Sequence, residues 1–412
     1  MSVIVVGAGV VGACCALTLV RAGYKVTLID QSAPGSGCSY GNAGSISPGS
    51  IIPMALPGLW KKVPAWLFDK DGPLSVKWSY LPQAAPWLIG WLRSSSEEVA
   101  NSSAAALTAL NKNVMENYKN MIGPKAYSKL IKATGHLIVQ KNKPTGYGDR
   151  FAASLREAYG VNIKELHGEE IRDLEPVVGP QFNYGIHMQD GGFTINPKKL
   201  VNALVESFID AGGRFVMNQV RDIQADNNGM YAVTTRTGTI ITNKIVIAAG
   251  AWSKRFLSED KIKIPLETER GYHIMLHNHN VQPSLPVVAA DYKFFSTPME
   301  EGLRLAGTVE IAGLHAQPKW NRADMLLEHA KQVFPGLSAE GSSVWMGHRP
   351  AIPDSVPVIA ESKSNKGVFY AFGHGHYGLS GAPNTAQIIC DLVLGNKPEV
   401  NIEPYGLSRF QS

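Results

Sequence analysis

The sequence predicts an α/β fold, and three observations near its start support that prediction. The β-branched run Val3–Val6 is typical of a strand buried on both faces of a parallel sheet. It leads into a G-x-G-x-x-G segment at residues 7–12, an apolar helical pattern and a second strand at 25–29. Asp30 ends that second strand. Together these features predict a dinucleotide-binding Rossmann unit.

Each residue of this unit has a physical reason. Gly7 allows the tight turn, Gly9 lets the backbone approach a pyrophosphate, and Gly12 lets helix and strand pack closely. The N-terminus of the helix offers unpaired N–H groups to the phosphates. The Asp30 carboxylate can accept the hydroxyls of an adenosine ribose. Because no Arg or Lys occupies positions 31–33, the sequence does not favour a 2′-phosphate.

Two later segments decide between a nicotinamide and a flavin. Residues 242–253 form a hydrophobic strand that breaks into small residues, and residues 367–379 form a strand that enters a glycine-rich turn before a helix. Such a turn is a further anion site. A flavin ring becomes anionic on reduction and uses such a turn, whereas a nicotinamide does not need it. The sequence therefore predicts FAD.

The composition excludes several classes of protein. The chain has 412 residues, of which 44% are hydrophobic and 18% charged, so it is globular. Its 39 basic and 34 acidic residues give a scattered net charge of +5, which is not a nucleic-acid footprint. The four cysteines fit neither a disulfide framework nor a metal site. We expect no metal, a reducing compartment on the cytoplasmic side, no cleaved signal and no transmembrane helix.

Several motifs, taken together and in order, resemble the D-amino-acid oxidase/dehydrogenase superfamily of FAD enzymes, and most of all its bacterial D-amino-acid dehydrogenase branch. The resemblance spans residues 3 to about 395. Besides the N-terminal fingerprint it is carried by Ser39–Gly44, Ile245–Ser253, Arg270–Tyr272, Trp345–Ser355 and Gly373–Gly378.

The resemblance implies a fold that is α+β overall, with a glutathione-reductase-type FAD-binding Rossmann domain and a mixed-sheet substrate domain. The FAD-binding domain is expected to be discontinuous, at 1–50, 186–255 and 341–412. The substrate-binding domain is expected at 51–185 and 256–340, with a Trp/Pro-rich segment at 51–92. FAD is expected to bind noncovalently.

The resemblance also implies site residues. Arg349, in a G-x-R-P turn, is expected to bind the substrate carboxylate, for which a planar guanidinium is suited. Tyr272, Tyr292 and Tyr377 are expected to assist carboxylate binding or to border the site. Tyrosines buried in the core with hydrogen-bonded hydroxyls are the other interpretation of these residues. His374 and His376 are read as flavin-loop residues. The residues expected to contact FAD are Gly7, Gly9, Val10, Val11, Gly12, Asp30, Gln31, Ser39, Asn42, Ala43, Gly44, Val220, Ala249, Gly250, Trp252, Gly375, His376, Tyr377, Gly378 and Leu379.

The implied reaction is oxidation of a D-amino acid to an imino acid, and then to a 2-oxo acid and ammonia. Hydride passes from the α-carbon to flavin N5, and electrons pass to a quinone or another respiratory acceptor. A D-proline or D-hydroxyproline dehydrogenase and an oxygen-using glycine/sarcosine-type oxidase stay open. An NAD enzyme or a tRNA-modifying flavoprotein is disfavoured by the charge distribution and the Arg349 motif, and a non-catalytic sensor by the three flavin-facing turns.

Five of the eight tryptophans fall within residues 60–91, beside Lys61-Lys62 and several prolines. The five are Trp60, Trp66, Trp78, Trp87 and Trp91. Tryptophans with interspersed lysines suit the headgroup region of a bilayer. An aromatic lid of the substrate domain is the other interpretation. The dehydrogenase resemblance favours peripheral contact with the inner membrane.

Overall fold

A computed structural model describes residues 1–63, 72, 74–226, 229–257 and 262–410. The mixed α/β fold predicted from the sequence is confirmed, because a mostly parallel sheet and a larger mixed sheet dominate the molecule. Trp66, Pro64 and Pro73 of the Trp/Pro-rich segment lie outside the described residues.

The strands are numbered in chain order. They are β1 Ser2–Val6, β2 Lys25–Asp30, β3 Ser45–Ile46, β4 Leu74–Val76, β5 Ile131–Lys132, β6 His136–Gln140, β7 Ile163–His167, β8 Tyr184–Met188, β9 Gly192–Thr194, β10 Arg214–Met217, β11 Val220–Ala225, β12 Tyr231–Thr235, β13 Thr239–Thr242, β14 Lys244–Ile247, β15 Glu267–Leu276, β16 Val287–Ala289, β17 Phe294–Met299, β18 Gly302–Ile311, β19 Ser342–Ala351, β20 Val358–Glu361 and β21 Val368–Phe372.

The α-helices follow the same convention. They are α1 Val10–Arg21, α2 Leu81–Arg93, α3 Glu97–Asn111, α4 Val114–Leu130, α5 Tyr147–Ala158, α6 Glu169–Leu174, α7 Pro197–Asp210, α8 Asn321–Val333 and α9 Gly378–Leu394. Gly123 interrupts α4 with a non-helical backbone conformation. No helix in the described part of the chain is apolar over a length that would cross a bilayer.

The first sheet has the strand order β10-β2-β1-β14-β21-β20, and all neighbours except β21 and β20 run parallel. Its inner strands are short apolar runs such as Val3–Val6, buried because helices α1, α7 and α9 cover one face. All parallel strands end at the same edge of the sheet. The turns after β1, β2, β14 and β21 therefore come together there.

The second sheet has nine strands in the order β19-β15-β18-β17-β16-β6-β8-β7, with β4 paired to β18. Helix α8 packs its apolar side on one face of this sheet, against residues such as Ile274 and Leu305. Helix α2 packs on the other face through Ala84 and Trp87, which contact Ile311. The sheet therefore has one face turned to α8 and one turned to α2 and the parallel sheet's turns.

The domain boundaries stay a prediction, with two observations bearing on them. Strand β19 falls within 341–412, which the prediction gives to the FAD-binding domain, but it is hydrogen-bonded to β15 of the mixed sheet. Strand β8 crosses the predicted boundary at residue 186. The G-x-R-P motif does not reveal which sheet its strand joins. Strands β15 and β19 are far apart in sequence, and pairing between such strands leaves no local signal in either one.

Candidate active site

The glycine turn after β1 has the geometry that the sequence predicts. Gly7 has a φ of 107°, and an added Cβ would lie 2.4 Å from the carbonyl oxygen of Ala248. An added Cβ at Gly12 would lie 1.8 Å from the carbonyl oxygen of Gly7. An added Cβ at Gly9 would meet only Ser39 Oγ, at 3.4 Å, among the described residues. Gly7 and Gly12 are needed for the turn itself, and Gly9 keeps the end of the helix accessible.

The N-terminus of α1 has no side-chain cap at Gly9. The N–H of Val10 donates to Ser39 Oγ at 3.0 Å, and the N–H of Ala13 donates to Gly9 within the helix. Val11 and Gly12 lie between these two residues in the first turn. The N–H groups of a first turn carry the positive end of the helix dipole, so this end can hold an anion.

Asp30 has a role that the sequence did not reveal. Its Oδ2 accepts the N–H of Ala8 at 2.7 Å, and its Oδ1 accepts the N–H of Ser32 at 2.9 Å. The carboxylate therefore joins the end of β2 to the glycine turn. A carboxylate has about four lone-pair positions, so each oxygen can still accept a ribose hydroxyl.

The backbone of the loop at residues 40–44 is hydrogen-bonded to the mixed sheet and to strand β9. Five consecutive carbonyl oxygens, those of residues 40 to 44, accept hydrogen bonds from side chains or backbone of other strands. Arg304 donates to Tyr40 and Asn42, both at 2.8 Å. His273 Nδ1 donates to Gly41 at 3.3 Å, Thr297 donates to Ala43 at 2.8 Å, and the Thr194 N–H donates to Gly44 at 2.9 Å.

The turn after β21 lies against the mixed sheet and leads into α9. The Gly375 N–H donates to the carbonyl of Pro350 at 2.7 Å. His376 Nε2 lies 2.8 Å from Glu269 Oε2 on β15. The Tyr377 hydroxyl donates to the carbonyl of Ile52, and burial raises its pKa. Tyr377 is also the residue before α9, whose N-terminus has no side-chain cap. This is a second helix end that can face an anion.

The other predicted FAD contacts lie around this edge of the parallel sheet. Gln31 is exposed just after β2, and Val220 is buried with Ile29 and Val6. Ala249 and Gly250 follow β14 and begin a 3₁₀ helix that contains the partly exposed Trp252. Leu379 is buried in α9, where its carbonyl accepts the Tyr118 hydroxyl. Gly378 begins the same helix.

These features fit a bound FAD. The N-termini of α1 and α9, where the preceding residues Gly9 and Tyr377 supply no side-chain cap, lie at one edge of the parallel sheet with the open approach at Gly9 and the carboxylate of Asp30. The α1 end would hold the pyrophosphate, Asp30 the ribose and the α9 end the pyrimidine part of the flavin. Their assignment as contacts stays a prediction, which the spatial convergence of the turns supports.

Arg349 lies on the face of the mixed sheet that meets these turns. It is the cross-strand partner of Glu269, and its Nη1 donates to the carbonyl of Thr308 at 2.9 Å. Among the described residues it has no carboxylate at ion-pair distance. Burial lowers its pKa, and the nearby Cys38 and Glu269 oppose that shift. The guanidinium is hydrogen-bonded only to neutral carbonyls, and Glu269 lies near it without an ion-pair contact. Such a guanidinium is suited to a carboxylate ligand.

Two of the predicted site tyrosines lie elsewhere. Residues alternate between faces along a strand, so Tyr272 points to the α8 side, away from Arg349. Its hydroxyl donates to Glu310 Oε2 at 2.5 Å and accepts the Lys319 N–H at 2.9 Å. Tyr292 packs 4.8 Å from the ring of His329, in the core under α8. We therefore leave both tyrosines out of the proposed site.

Residues 2–392 match the model of the DAO family, described as FAD dependent oxidoreductase. The chain belongs to this family. It is an FAD-dependent oxidoreductase, as the sequence resemblance implied.

Bacterial relatives named for oxidation of D-amino acids align with nearly all of the chain. A D-amino-acid oxidase of Bradyrhizobium diazoefficiens is 38% identical, with 99% of this chain and 98% of the relative covered. A D-amino acid dehydrogenase of Rhizobium rhizogenes is 28% identical, with 100% of both covered. The crystal structure of an L-proline dehydrogenase from P. horikoshii is similar in fold, with a TM-score of 0.76, 19% identity, and 100% and 97% of the two chains covered.

Sequence reasoning missed Glu269, His273 and Trp345 as neighbours of Arg349. Trp345 lies four residues before Arg349 on β19. Glu269 is the cross-strand partner of Arg349 on β15, and His273 follows Glu269 by four residues, so all three side chains lie on the same face as Arg349. The alternation of side chains between the two faces of each strand could be predicted from the sequence, but the register between β15 and β19 could not. A fixed register would have found all three residues from the position of Arg349 alone.

Proposed function

We propose that this enzyme oxidises D-amino acids to imino acids, which water then converts to 2-oxo acids and ammonia. The observation that carries the proposal is Arg349, a guanidinium that has no ion pair with a carboxylate among the described residues and lies on the sheet face that meets the N-termini of α1 and α9. The two relatives named for D-amino-acid oxidation, which cover the whole chain, support the choice of substrate class.

The protein's part in the reaction is binding and orientation. FAD would supply the chemistry of hydride acceptance, at flavin N5. Arg349 would bind the substrate carboxylate through two parallel hydrogen bonds and so fix the position of the α-carbon. N–H groups at the start of α9 would stabilise negative charge at the pyrimidine end of the flavin.

FAD is proposed to bind without a covalent link. Cys38 is the cysteine that lies in the pyrophosphate-side segment. Burial raises the pKa of its thiol, an effect that the charge of Arg349 only partly offsets. A protonated thiol is a poor nucleophile. Acid or heat should therefore release FAD from the purified protein, and a yellow colour that remains on the denatured chain would contradict this.

The decisive experiment mixes the purified holoenzyme with single substrates without oxygen and follows the flavin absorbance. D-Alanine and other D-amino acids should bleach the flavin, and their L-enantiomers should not. Bleaching by L-enantiomers would overturn the proposal. Bleaching only by D-proline or D-hydroxyproline, or only by glycine or sarcosine, would select one of those two alternatives instead.

We further propose that the electrons go to a membrane quinone, through contact between α2 and an anionic bilayer. The outer surface of α2 and the residues before it expose Trp78 at 65%, Ile89 at 50% and Leu92 at 52%. Residues 74–96 contain Lys77 and Arg93 but no acidic residue. On its inner side α2 borders a narrow cleft through Trp87 and Trp91, with His376 and Tyr377 opposite.

This contact is tested with vesicles. The holoenzyme should sediment with anionic phosphatidylglycerol vesicles and much less with neutral ones, and it should reduce a quinone faster than oxygen. Ile89→Gln with Leu92→Gln should abolish sedimentation. Ile209→Gln is the matched control, since Ile209 is equally exposed but lies on α7. No sedimentation, together with rapid peroxide formation, would make the enzyme an oxidase.

A further inference from the structure

Two glycines leave a patch of the sheet beside Arg349 without side chains, and we call this patch the floor. Gly271 on β15 and Gly347 on β19 are cross-strand partners. An added Cβ at Gly271 would lie 2.2 Å from the guanidinium carbon of Arg349. An added Cβ at Gly347 would lie 1.9 Å from the indole Cη2 of Trp345. The guanidinium and the indole therefore lie side by side over backbone that carries no side chains.

One end of this floor carries a negative charge. Glu269 precedes Gly271 by two residues, on the same face, and is 4% exposed. Burial raises the pKa of its carboxyl, but the hydrogen bond and charge of His376 and the charge of Arg349 outweigh it and lower the pKa overall. His376 occupies Oε2 at 2.8 Å. A carboxylate accepts more than one hydrogen bond, so it can receive another donor.

The other end is rigid and uncharged. Trp345 stacks on His273 with ring centroids 5.2 Å apart and an angle of 19°, and Tyr40 meets it edge-on at 5.9 Å. An added Cβ at Gly41 would lie 1.8 Å from the indole, so the ring is held between Gly41 and His273. Burial lowers the pKa of His273 to about 3, helped by the charges of Arg304 and Arg349. The imidazole is neutral at working pH.

We propose that the unlike ends of this floor orient the substrate and select its class. Arg349 receives the carboxylate, Glu269 receives the amino group, and the edge of Trp345 bounds the side chain. The preferred substrates are then α-amino acids with compact apolar side chains. This inference rests on the proposed oxidation of amino acids, and it adds the substrate class and two specificity residues.

The chemistry of each end supports the assignment. An ammonium group beside the Glu269 carboxylate forms a charge-assisted hydrogen bond, and the zwitterion is thus matched by Arg349 and Glu269 together. A charged side chain placed against the indole would lose its water without gaining a partner. A large side chain would collide with a ring that cannot turn, because Gly41 and His273 close on its two faces.

The first experiment measures flavin reduction by D-alanine and D-phenylalanine in the native enzyme and in Trp345→Ala. The native enzyme should prefer D-alanine, and the variant should raise the ratio of kcat/KM for D-phenylalanine over D-alanine by about tenfold or more. Trp320→Ala is the matched control, because Trp320 meets Tyr272 on the opposite face. An equal loss for both substrates in Trp345→Ala would overturn the role of the indole as a wall.

A binding measurement keeps the test independent of turnover. Propionate and 3-phenylpropionate are alanine and phenylalanine without the amino group, and their binding is read from the flavin spectrum. The native enzyme should bind propionate more tightly, and Trp345→Ala should reverse the order. If no D-amino acid bleaches the native flavin, the proposed function fails, while this measurement still decides the role of Trp345. Trp345→Leu serves if Trp345→Ala does not fold.

The second experiment tests the amino-group end. Glu269→Gln should raise the apparent Kd of D-alanine in anaerobic reduction by about tenfold or more, because a charged hydrogen bond is lost. It should leave the Kd of propionate unchanged. Glu267→Gln is the control, since this neighbouring carboxylate on the same face is held by the Tyr80 hydroxyl. Equal weakening of D-alanine and propionate in Glu269→Gln would overturn the assignment.

Discussion

The two faces of strand β15 each lie beside an arginine, and the two arginines are treated differently. On the α8 side, Arg270 is fully buried, and its Nη1 lies 3.3 Å from Glu310 Oε2. On the side of the turns, Arg349 donates to the carbonyl of Thr308 and has no ion-pair partner among the described residues. A charge held in an ion pair within the protein serves the fold, whereas a charge without an ion-pair contact is available to a ligand. The contrast separates a structural arginine from a substrate anchor within one sheet.

The largest effect is expected from breaking the structural pair. Arg270→Met removes the buried ion-pair partner of Glu310 and leaves its carboxylate with the Tyr272 hydroxyl and with Lys319 at 3.6 Å, so the free energy of unfolding should fall by about 3–5 kcal/mol. Denaturant unfolding of the holoenzyme measures it. Arg270→Met combined with Glu310→Leu should recover much of the loss. If Arg270→Met keeps its stability but stops binding substrate, the roles of the two arginines are reversed.

Arg349→Ala should act on catalysis rather than on stability. We expect KM to rise, kcat to fall, and kcat/KM to decrease by about 2–5 kcal/mol in transition-state free energy. Arg349→Lys keeps the charge but not the planar fork, so its loss should be smaller. Steady-state kinetics and the flavin spectrum check both variants. A native rate in Arg349→Ala, or loss of FAD without any change in turnover of the remaining holoenzyme, would contradict the anchor.

Tyr272→Phe sharpens the comparison on the α8 side. It removes a buried hydrogen bond to the Glu310 carboxylate, so the free energy of unfolding should fall by about 1.5–3 kcal/mol. The kcat/KM of the folded enzyme should stay the same. A clear decrease in kcat/KM at unchanged stability would return Tyr272 to the site that the sequence predicted.

The smallest effect concerns pH and His273. Burial lowers the pKa of this histidine to about 3, below the value of about 6.5 in an unfolded chain. The unfolded state therefore binds more protons below pH 6.5, and stability is lost as pH falls from there toward 3. At pH 5 this one group should cost about 2 kcal/mol. His273→Gln should show a correspondingly shallower loss of stability between pH 7 and 5, measured by urea unfolding.

The sequence predicted what is encoded locally. The turn at Gly7–Gly12, the acid at Asp30 and the glycine turn before α9 are each readable within a dozen residues, and strand order then places them at one edge. Arg349 was found through its motif. Its surroundings depend on the pairing of β15 with β19, which joins residues 80 positions apart, as in Glu269 and Arg349.

Tyr272 shows why the side-chain alternation of a strand matters for predicting a site. It is one residue from Gly271, the glycine under the Arg349 guanidinium, yet the pleat of the strand sends its side chain to the other face. The family resemblance suggested a site role for Tyr272, and the alternation of the strand places its side chain on the face opposite Arg349. Glu269 and His376 are 107 residues apart, and His376 Nε2 lies 2.8 Å from Glu269 Oε2. No local sequence pattern predicts this contact.

The loop at residues 40–44 also constrains how this enzyme can vary over evolution. Four of its carbonyls accept hydrogen bonds from the mixed sheet and the fifth accepts one from β9, so these five bonds do not depend on the side chains of the loop. Some positions are constrained in other ways: a Cβ at Gly41 would strike Trp345, Gly44 has a φ of 84°, and Asn42 Oδ1 accepts the Gly44 N–H at 2.7 Å. Inserting or deleting one residue would displace all five carbonyls from their donors together. Homologous chains should therefore keep the length of this loop constant even where its side chains differ.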